Sequence, residues 1–199
     1  NAGELPISYV RVELYRDTNG TAGLQVGSEA LLRFDITDAG GYYLFDNLTP
    51  GEYYVHIPAG NFTASFDPDG ASPLPTAAGA LFGMNNSTPT GTENGGVTGN
   101  PYTPNTDRDD NGVNNPRPDQ SGISSGPILL VRNGEPSGET ELSADTGVAA
   151  GNDPTAGDGP NSRGRYGEGD NNSNLTIDFG FLPVYSLGNR VWLDTGGTT

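Results

Sequence analysis

The chain has 199 residues and a formal net charge of −16, from 25 acidic and 9 basic residues. Every base is an Arg, so this charge argues against nucleic acid and anionic membrane surfaces as partners, whose binding needs basic patches. The absence of Cys excludes disulfides and thiolate metal sites. The 31 Gly and 16 Pro disfavour helices, and we expect an all-β chain.

The N-terminal part of the chain alternates apolar and polar positions, which is typical of strands. In Tyr9–Tyr15, the side chains of Val10, Val12 and Leu14 share one face. Ala30–Thr37 alternates in the same way, and Asp38–Gly41 then has the residues of a turn. The inward positions expected in these later strands are Leu32, Phe34, Ile36, Tyr43, Phe45, Leu48, Tyr53, Val55 and Ile57.

Two long segments, at about 58–126 and 135–172, lose this alternation and are rich in Gly, Pro, Asn and Thr. We interpret them as loop insertions in one β-sandwich rather than as separate domains. Pro127–Val131 predicts a strand between them, and Leu175–Phe181 has the clearest alternation in the chain. The predicted organisation is therefore a β-sandwich repeat over 1–185, followed by a linking strand over 186–199.

The linking strand is centred on Ser186–Asp194, where Leu187, Val191 and Leu193 share a face. It follows the strand that is expected to close the sandwich. We therefore interpret it as the first strand of a following unit. Asn1 is not an initiator Met, and we expect the chain to be a piece of something longer.

Four stretches of sequence carry a family resemblance. They read V-R-V-E-L-Y at 10–15, T-D-A-G-G-Y-Y-L-F-D-N-L-T-P-G-E-Y-Y-V at 37–55, N-L-T-I-D-F-G-F at 174–181, and S-L-G-N-R-V-W-L-D at 186–194. Together they resemble the B-type repeat of serine–aspartate-repeat surface adhesins (SdrD B-like domains), in the Cna-B and transthyretin-like group. The resemblance implies an antiparallel Greek-key β-sandwich (Ig-like or transthyretin-like) in an extracellular bacterial surface or fibre protein. Related domains are often cross-linked through Lys, which this chain lacks.

The stretch that opens the family pattern lies at 186–194, and the Gly3-Glu4 that should follow it lies near the N-terminus. Either the chain is one period of a tandem repeat, or each subunit donates its last strand to the next. Both alternatives give a head-to-tail assembly of identical repeats or subunits. An arbitrary boundary that truncates a following domain is the third alternative. The predicted assembly residues are Leu187, Val191, Trp192 and Leu193 on the linking strand, with Val10, Val12 and Leu14 as partners.

Calcium is the most plausible ligand. Oxygen donors alternate along the loop at Asp107, Asp109, Asn111 and the carbonyl of Val113, with Gly112 in sixth position, as in the first half of an EF-hand loop. Asp119 lies one residue beyond the position where a bidentate Glu is expected. The simpler alternative is an acidic, solvated turn. The resemblance implies a second calcium loop, of which only Asp194, Asn1 and Glu4 remain here.

We expect no catalysis. The stretch Gly122–Gly126 fits the hydrolase motif G-x-S-x-G, but that motif requires a strand–turn–helix context, and a Pro and a strand follow here. The only His, His56, is predicted on the outward face of its strand.

The predicted function is a structural module of an extracellular fibre or surface stalk. The alternative is a calcium-stabilised adhesin module that binds a host or matrix ligand through the loops at 58–126. A carbohydrate-binding surface would use Tyr42, Tyr54 and His56, if these point outward. Glycans are a further candidate partner, since sequons begin at Asn19, Asn47, Asn61, Asn86 and Asn174.

Overall fold

A computed structural model describes residues 5–70, 77–87, 110–136, 162–163 and 168–188. The described chain is mostly antiparallel strands with very little helix, which confirms the all-β prediction. The strands are β1 Arg11–Arg16, β2 Ala30–Ile36, β3 Gly51–Ile57, β4 Met84–Asn86, β5 Ile123–Ser124, β6 Ile128–Leu130, β7 Ser162–Arg163, β8 Glu168–Gly169 and β9 Phe181–Pro183. The helices are the 3₁₀ turns Ala59–Phe62 and Asp170–Asn172, and α1 Pro118–Ser121.

The main sheet has five strands in the order β2-β1-β3-β5, with β6 also paired to β3. β5 and β6 follow one another along the edge of β3 that faces away from β1. Two small two-stranded sheets, β4–β9 and β7–β8, complete the described strands. None of the helices in the described ranges is long and apolar enough to cross a membrane.

One face of the main sheet carries the core. Leu14 lies opposite Val55 in the β1–β3 register, so alternate residues of both strands point to the same side. The predicted shared face of Val10, Val12 and Leu14 is confirmed, since all three side chains are buried. The other buried members of the core are Tyr53, Val55, Ile57, Phe62, Leu81, Ile123 and Ile128.

Part of the segment interpreted as a loop insertion contributes to this core. Phe62 in the first 3₁₀ turn and Leu81 in a turn before β4 are both buried. Ile123 places β5 beside Ile57 in the main sheet. The loss of alternation after residue 58 therefore marks irregular backbone, and isolated apolar residues within it still anchor to the core.

The opposite face of the sheet is also covered, contrary to the expectation for β3. His56 and Tyr54 were predicted to point outward, but they are 3% and 0% exposed. The backbone N–H of Gly23 donates to the Tyr54 hydroxyl at 3.1 Å, because the β1–β2 connection folds over this face. These two aromatic rings therefore cannot form an exposed carbohydrate platform in the folded chain.

β2 is an edge strand whose apolar residues are not inward as predicted. Asp35 lies opposite Val12 in the register, which places Phe34 on the other face of the sheet from the core. Leu32 and Phe34 are 47% and 41% exposed. The Arg11 guanidinium stacks on the Phe34 ring at 3.8 Å and shields part of it.

The predicted strand Leu175–Phe181 is realised only at its end, where β9 begins at Phe181. Residues 173–180 lie outside the strands of the described chain, although their alternation is strong. A strand requires a partner as well as a pattern, and single bonds to Asn111 and Ser87 do not make a ladder.

Candidate functional site

The C-terminal segment leaves the body of the protein after β9. The backbone N–H of Val184 donates to the carbonyl of Gly83 at 3.0 Å, which is its last described bond to the body. Beyond that point Tyr185 is 89% exposed and Leu187 is 105% exposed. Among the predicted assembly residues of the linking strand, Leu187 is the one that the structure describes, and its side chain is fully exposed. Val191, Trp192 and Leu193 lie outside the described residues.

The predicted partners of this strand, Val10, Val12 and Leu14, belong to the core cluster. Their strand β1 is flanked by β2 on one edge and by β3 on the other. β1 therefore has no free edge in the main sheet to which a strand of another copy could be added. Their role in assembly stays a prediction.

A group of apolar side chains packs against the core while remaining only partly buried. The rings of Tyr43 and Phe45 lie 5.7 Å apart, and the Tyr43 hydroxyl donates to the carbonyl of Ile177 at 2.8 Å. Burial raises the pKa of Tyr43 well above its ordinary value, and the nearby carboxylates of Asp178 and Asp35 add to the shift. We call this group the open layer: Tyr43, Phe45, Leu48, Ile177 and Phe179.

Asp110 connects three segments beside this layer. Its carboxylate accepts hydrogen bonds from the Ser87 hydroxyl at 2.8 Å and from the Gly112 N–H at 2.9 Å, and also from the backbone of Gly180. Burial nevertheless raises the pKa of Asp110 to about 6, because desolvation outweighs these hydrogen bonds. Asp110 was not singled out from the sequence, where it is one of several acids in a polar loop.

The predicted calcium donors are only partly described, and two of those described bind their own chain. Asn111 is buried, and its side-chain oxygen accepts from the Asp178 N–H at 2.7 Å. Asp119 pairs with Arg117 at 3.1 Å on the surface. At Val113 the N–H donates to the Ser124 carbonyl, whereas the predicted donor is the Val113 carbonyl. Asp107, Asp109, Asp194 and Glu4 lie outside the described residues. Calcium binding therefore stays a prediction.

The ligand sets typical of metal sites are also absent from the described ranges. No group of at least three His, Cys, Asp or Glu side chains is positioned there to hold an ion.

His56 is part of a buried polar cluster. Its Nδ1 lies 2.8 Å from the Ser124 hydroxyl, and its ring meets that of Tyr15 edge-on at 6.0 Å. Glu13, buried beside them, accepts hydrogen bonds from Arg11 at 2.8 Å and from Tyr15 at 2.9 Å. Gly122 is required here, because it has φ +71° and a Cβ would lie 2.6 Å from the imidazole.

This cluster brings together the Ser and the His that a hydrolase would need, which the sequence alone did not predict. The surroundings of this Ser and His differ from those of a hydrolase active site. The motif follows α1, contains β5 and is followed by β6, so it lacks the strand–turn–helix order that the motif requires. Both carboxylate oxygens of Glu13 accept from Arg11 and Tyr15, so Glu13 is committed to partners other than the imidazole. What the arrangement accomplishes is to join β1, β3 and β5 through side chains.

Protonation of His56 is expected to destabilise the fold. Burial lowers the pKa of His56 below its ordinary value of 6.5, with a smaller opposing effect of Glu13. The unfolded chain then binds the proton more readily, so stability decreases as the pH falls through 6.5. In urea titrations between about pH 7.5 and about pH 5, the His56→Gln variant should lose less stability than the wild type.

Asp110 titrates in the same range with the opposite sign. Its raised pKa means that its contribution to stability decreases as the pH rises from 3.8 towards about 6. Because Asp110 is present in both proteins, the difference between their pH profiles isolates His56. If the stability of the wild type and that of the His56→Gln variant change in parallel with pH, the pH dependence does not come from His56.

Two of the sequons are inaccessible in the folded chain. Asn61 is 0% exposed and Asn86 is 5% exposed. A glycan on either residue would have to displace the core, so these sites cannot carry one in the folded protein. The sequon pattern reports composition and not exposure.

Comparison with known proteins adds no relative. No protein-family model, no curated protein and no solved structure matches this chain. The function must therefore be argued from the chain's own residues.

Proposed function

We propose that this chain is a non-catalytic structural module of an extracellular bacterial fibre or surface stalk, built head-to-tail from identical repeats or subunits. In this proposal the fold is a Greek-key β-sandwich of the SdrD B-like type, and the strand at 186–194 belongs to the next unit of the assembly. The observation that carries the proposal is Leu187, which is apolar and 105% exposed on a segment that leaves the body.

An exposed apolar side chain is ordinary when it stands alone. Leu187 instead belongs to an alternating strand sequence with Val191 and Leu193 on the same face. Alone, such a strand has backbone N–H and C=O groups without strand partners, and its apolar face is exposed to water. Addition to a neighbouring sheet supplies both at once.

The proposal is tested by the mass of the native material after full denaturation. A species near 20.7 kDa from a native assembly would mean separate subunits held by donated strands. A much larger polypeptide, yielding a peptide that runs from Thr199 into Asn1, would mean a covalent tandem repeat. Native material that is a monomer under all conditions would refute the assembly.

The Leu187→Asp variant is expected to weaken self-association by about tenfold to a hundredfold, the equivalent of about 1.5–3 kcal/mol for one buried Leu. Its monomer should unfold at the wild-type denaturant concentration, because Leu187 makes no contact within its own chain. Light scattering and urea titration measure the two quantities. Leu129→Asp is the control, since it makes the same substitution at a half-exposed Leu that lies on β6, outside the linking strand. Equal effects of both variants would argue against a specific role for the linking strand.

A further inference from the structure

We infer that the edge formed by residues 175–181 is the acceptor for the linking strand, Ser186–Asp194, of a second copy of this chain. This inference rests on the proposed function and deepens it, because it assigns the site at which one unit engages the next. It also gives a physical reason why, within the described residues, the most regular strand pattern in the sequence joins a ladder only from Phe181 onward.

The backbone groups of residues 175–181 point alternately to two opposite edges. Asp178 exchanges bonds with Asn111, since the N–H of Asn111 donates to its carbonyl at 2.9 Å and its own N–H donates to the Asn111 side chain. Two residues on, the carbonyl of Gly180 accepts from Ser87 at 2.8 Å. Even-numbered residues therefore direct their backbone groups to one edge. In an extended chain the odd-numbered residues direct theirs to the other.

That second edge is open. Within the ranges that the structure covers, neither the N–H of Ile177 nor the N–H or carbonyl of Phe179 forms a hydrogen bond. The carbonyl of Ile177 accepts only the Tyr43 hydroxyl. An edge of this kind, in a segment that is already extended, is the template on which another strand pairs.

The side chains beside this edge form an apolar surface that an added strand could cover. Ile177 and Phe179 belong to the open layer, whose members pack against the core but remain partly exposed. A strand added along this edge would lie beside Ile177 and Phe179 and extend the layer. Its inward face would need small to medium apolar residues at alternate positions, as the linking strand provides at Leu187, Val191 and Leu193.

The charge around this edge favours the linking strand as its partner. Asp35 and Asp178 both lie close enough to Tyr43 to raise its pKa, so the acceptor is flanked by carboxylates. The linking strand carries Arg190 between its apolar positions, whereas the chain as a whole has a net charge of −16. The chain's own segment does not fold back onto this edge as far as it is described, because Leu187 makes no contact. The occupant is therefore the strand of another copy.

The outer edge of β2 is the competing acceptor. It too is unpaired in the main sheet. However, the side chains of Arg33 and Asp35 bond to Asp46 and to the Leu44 N–H, which holds residues 44–46 against β2. A register shift also interrupts β1–β2 pairing after Leu14, and such irregularities are a usual protection of a sheet edge against addition. We therefore place the linking strand on 175–181 and not on β2.

Hydrogen exchange tests this assignment without requiring the register to be known. Exchange in the assembled full-length chain is compared with exchange in the Leu187→Asp monomer, at single-amide resolution. The amides of Ile177 and Phe179 should slow by about tenfold or more on assembly, the effect of gaining one net backbone hydrogen bond. The amides of Leu32 and Phe34 on β2 serve as the internal control and should not change.

The outcomes separate the inference from the proposed function. Assembly with new protection on β2, or with none at 175–181, would overturn the acceptor assignment and leave the head-to-tail module intact. Failure of the wild-type chain to assemble at all would overturn both. Protection of 175–181 that is already present in the Leu187→Asp monomer would mean that this edge is filled within one chain, which also overturns the inference.

Discussion

Replacing Asn61 by Ala is expected to lower the free energy of unfolding by about 2–4 kcal/mol. Asn61 is 0% exposed, and its side chain bonds both backbone groups of Arg11. Its oxygen accepts from the Arg11 N–H at 3.0 Å, and its nitrogen donates to the Arg11 carbonyl at 2.9 Å. The substitution would leave two strand groups without partners, each at a cost of about 1–3 kcal/mol.

The reason for this arrangement lies in the register of the sheet. Glu13 pairs with His56, so continuation of the β1–β3 ladder would bring Arg11 opposite Pro58. Proline has no N–H to donate, and the ladder cannot continue there. The primary amide of Asn61 replaces the missing peptide group, with one donor and one acceptor in the required positions. Asn61 therefore extends the sheet by one residue pair through a side chain.

Urea unfolding of the variant measures this effect, with Asn19→Ala as the control. Asn19 also begins a sequon but is exposed, and its substitution should change the free energy of unfolding by less than about 0.5 kcal/mol. A loss below about 1 kcal/mol for Asn61→Ala would mean that water replaces the amide at Arg11. The fold would then depend on Asn61 far less than its hydrogen bonds indicate.

The sequence predicted the positions of β1, β2 and β3 and the core faces of β1 and β3, because alternation reports a strand directly, but the inward face predicted for β2 was wrong. Val12 and Val55 are buried where the pattern placed them. Alternation does not report whether the other face is covered. In a sandwich whose outer face is exposed to solvent, the side chains of His56 and Tyr54 would point outward. In this chain the connection after β1 and the turn at Gly122 cover them. Burial by irregular segments has no periodic signature, so these residues were misplaced.

The polar contacts were the least predictable part of the chain. Asp110 and Asn61 sit in stretches of sequence where many neighbours have the same character. Their roles depend on long-range geometry, such as the approach of Ser87 and Gly180 to Asp110. In the sequence, the only mark on Asn61 was its sequon, which does not indicate that the side chain is buried. A pattern within ten or so residues cannot report a contact made across the chain.

The segment at 173–180 shows a different limit. Its alternation is a property of the sequence, but a strand is a property of a pair, and within the described residues the bonds at Asp178 and Gly180 do not form a ladder over 173–180. Sequence and structure agree if the partner strand comes from another copy. For this reason, the assembled form is the appropriate object for the next measurements.

Trp192→Ala is expected to have the largest effect on the assembly. The sequence places Trp192 in the linking strand between Val191 and Leu193, and therefore on the other face of that strand. If assembly buries both faces of the linking strand, loss of this ring costs about 3–5 kcal/mol, which is more than a hundredfold in the dissociation constant. Dissociation of the assembly, followed by light scattering on dilution, measures this loss. The free energy of unfolding of the dissociated chain should stay at the wild-type value.

Tyr185→Ala is the matched control for that experiment. Tyr185 is an aromatic residue 89% exposed on the same segment, but it precedes the linking strand. Its substitution should weaken the assembly by less than about 1 kcal/mol. If Trp192→Ala instead destabilises the dissociated chain, its ring packs within its own subunit and the strand is not donated. If both variants assemble like the wild type, the linking strand does not join the units, and the exposed Leu187 needs another explanation.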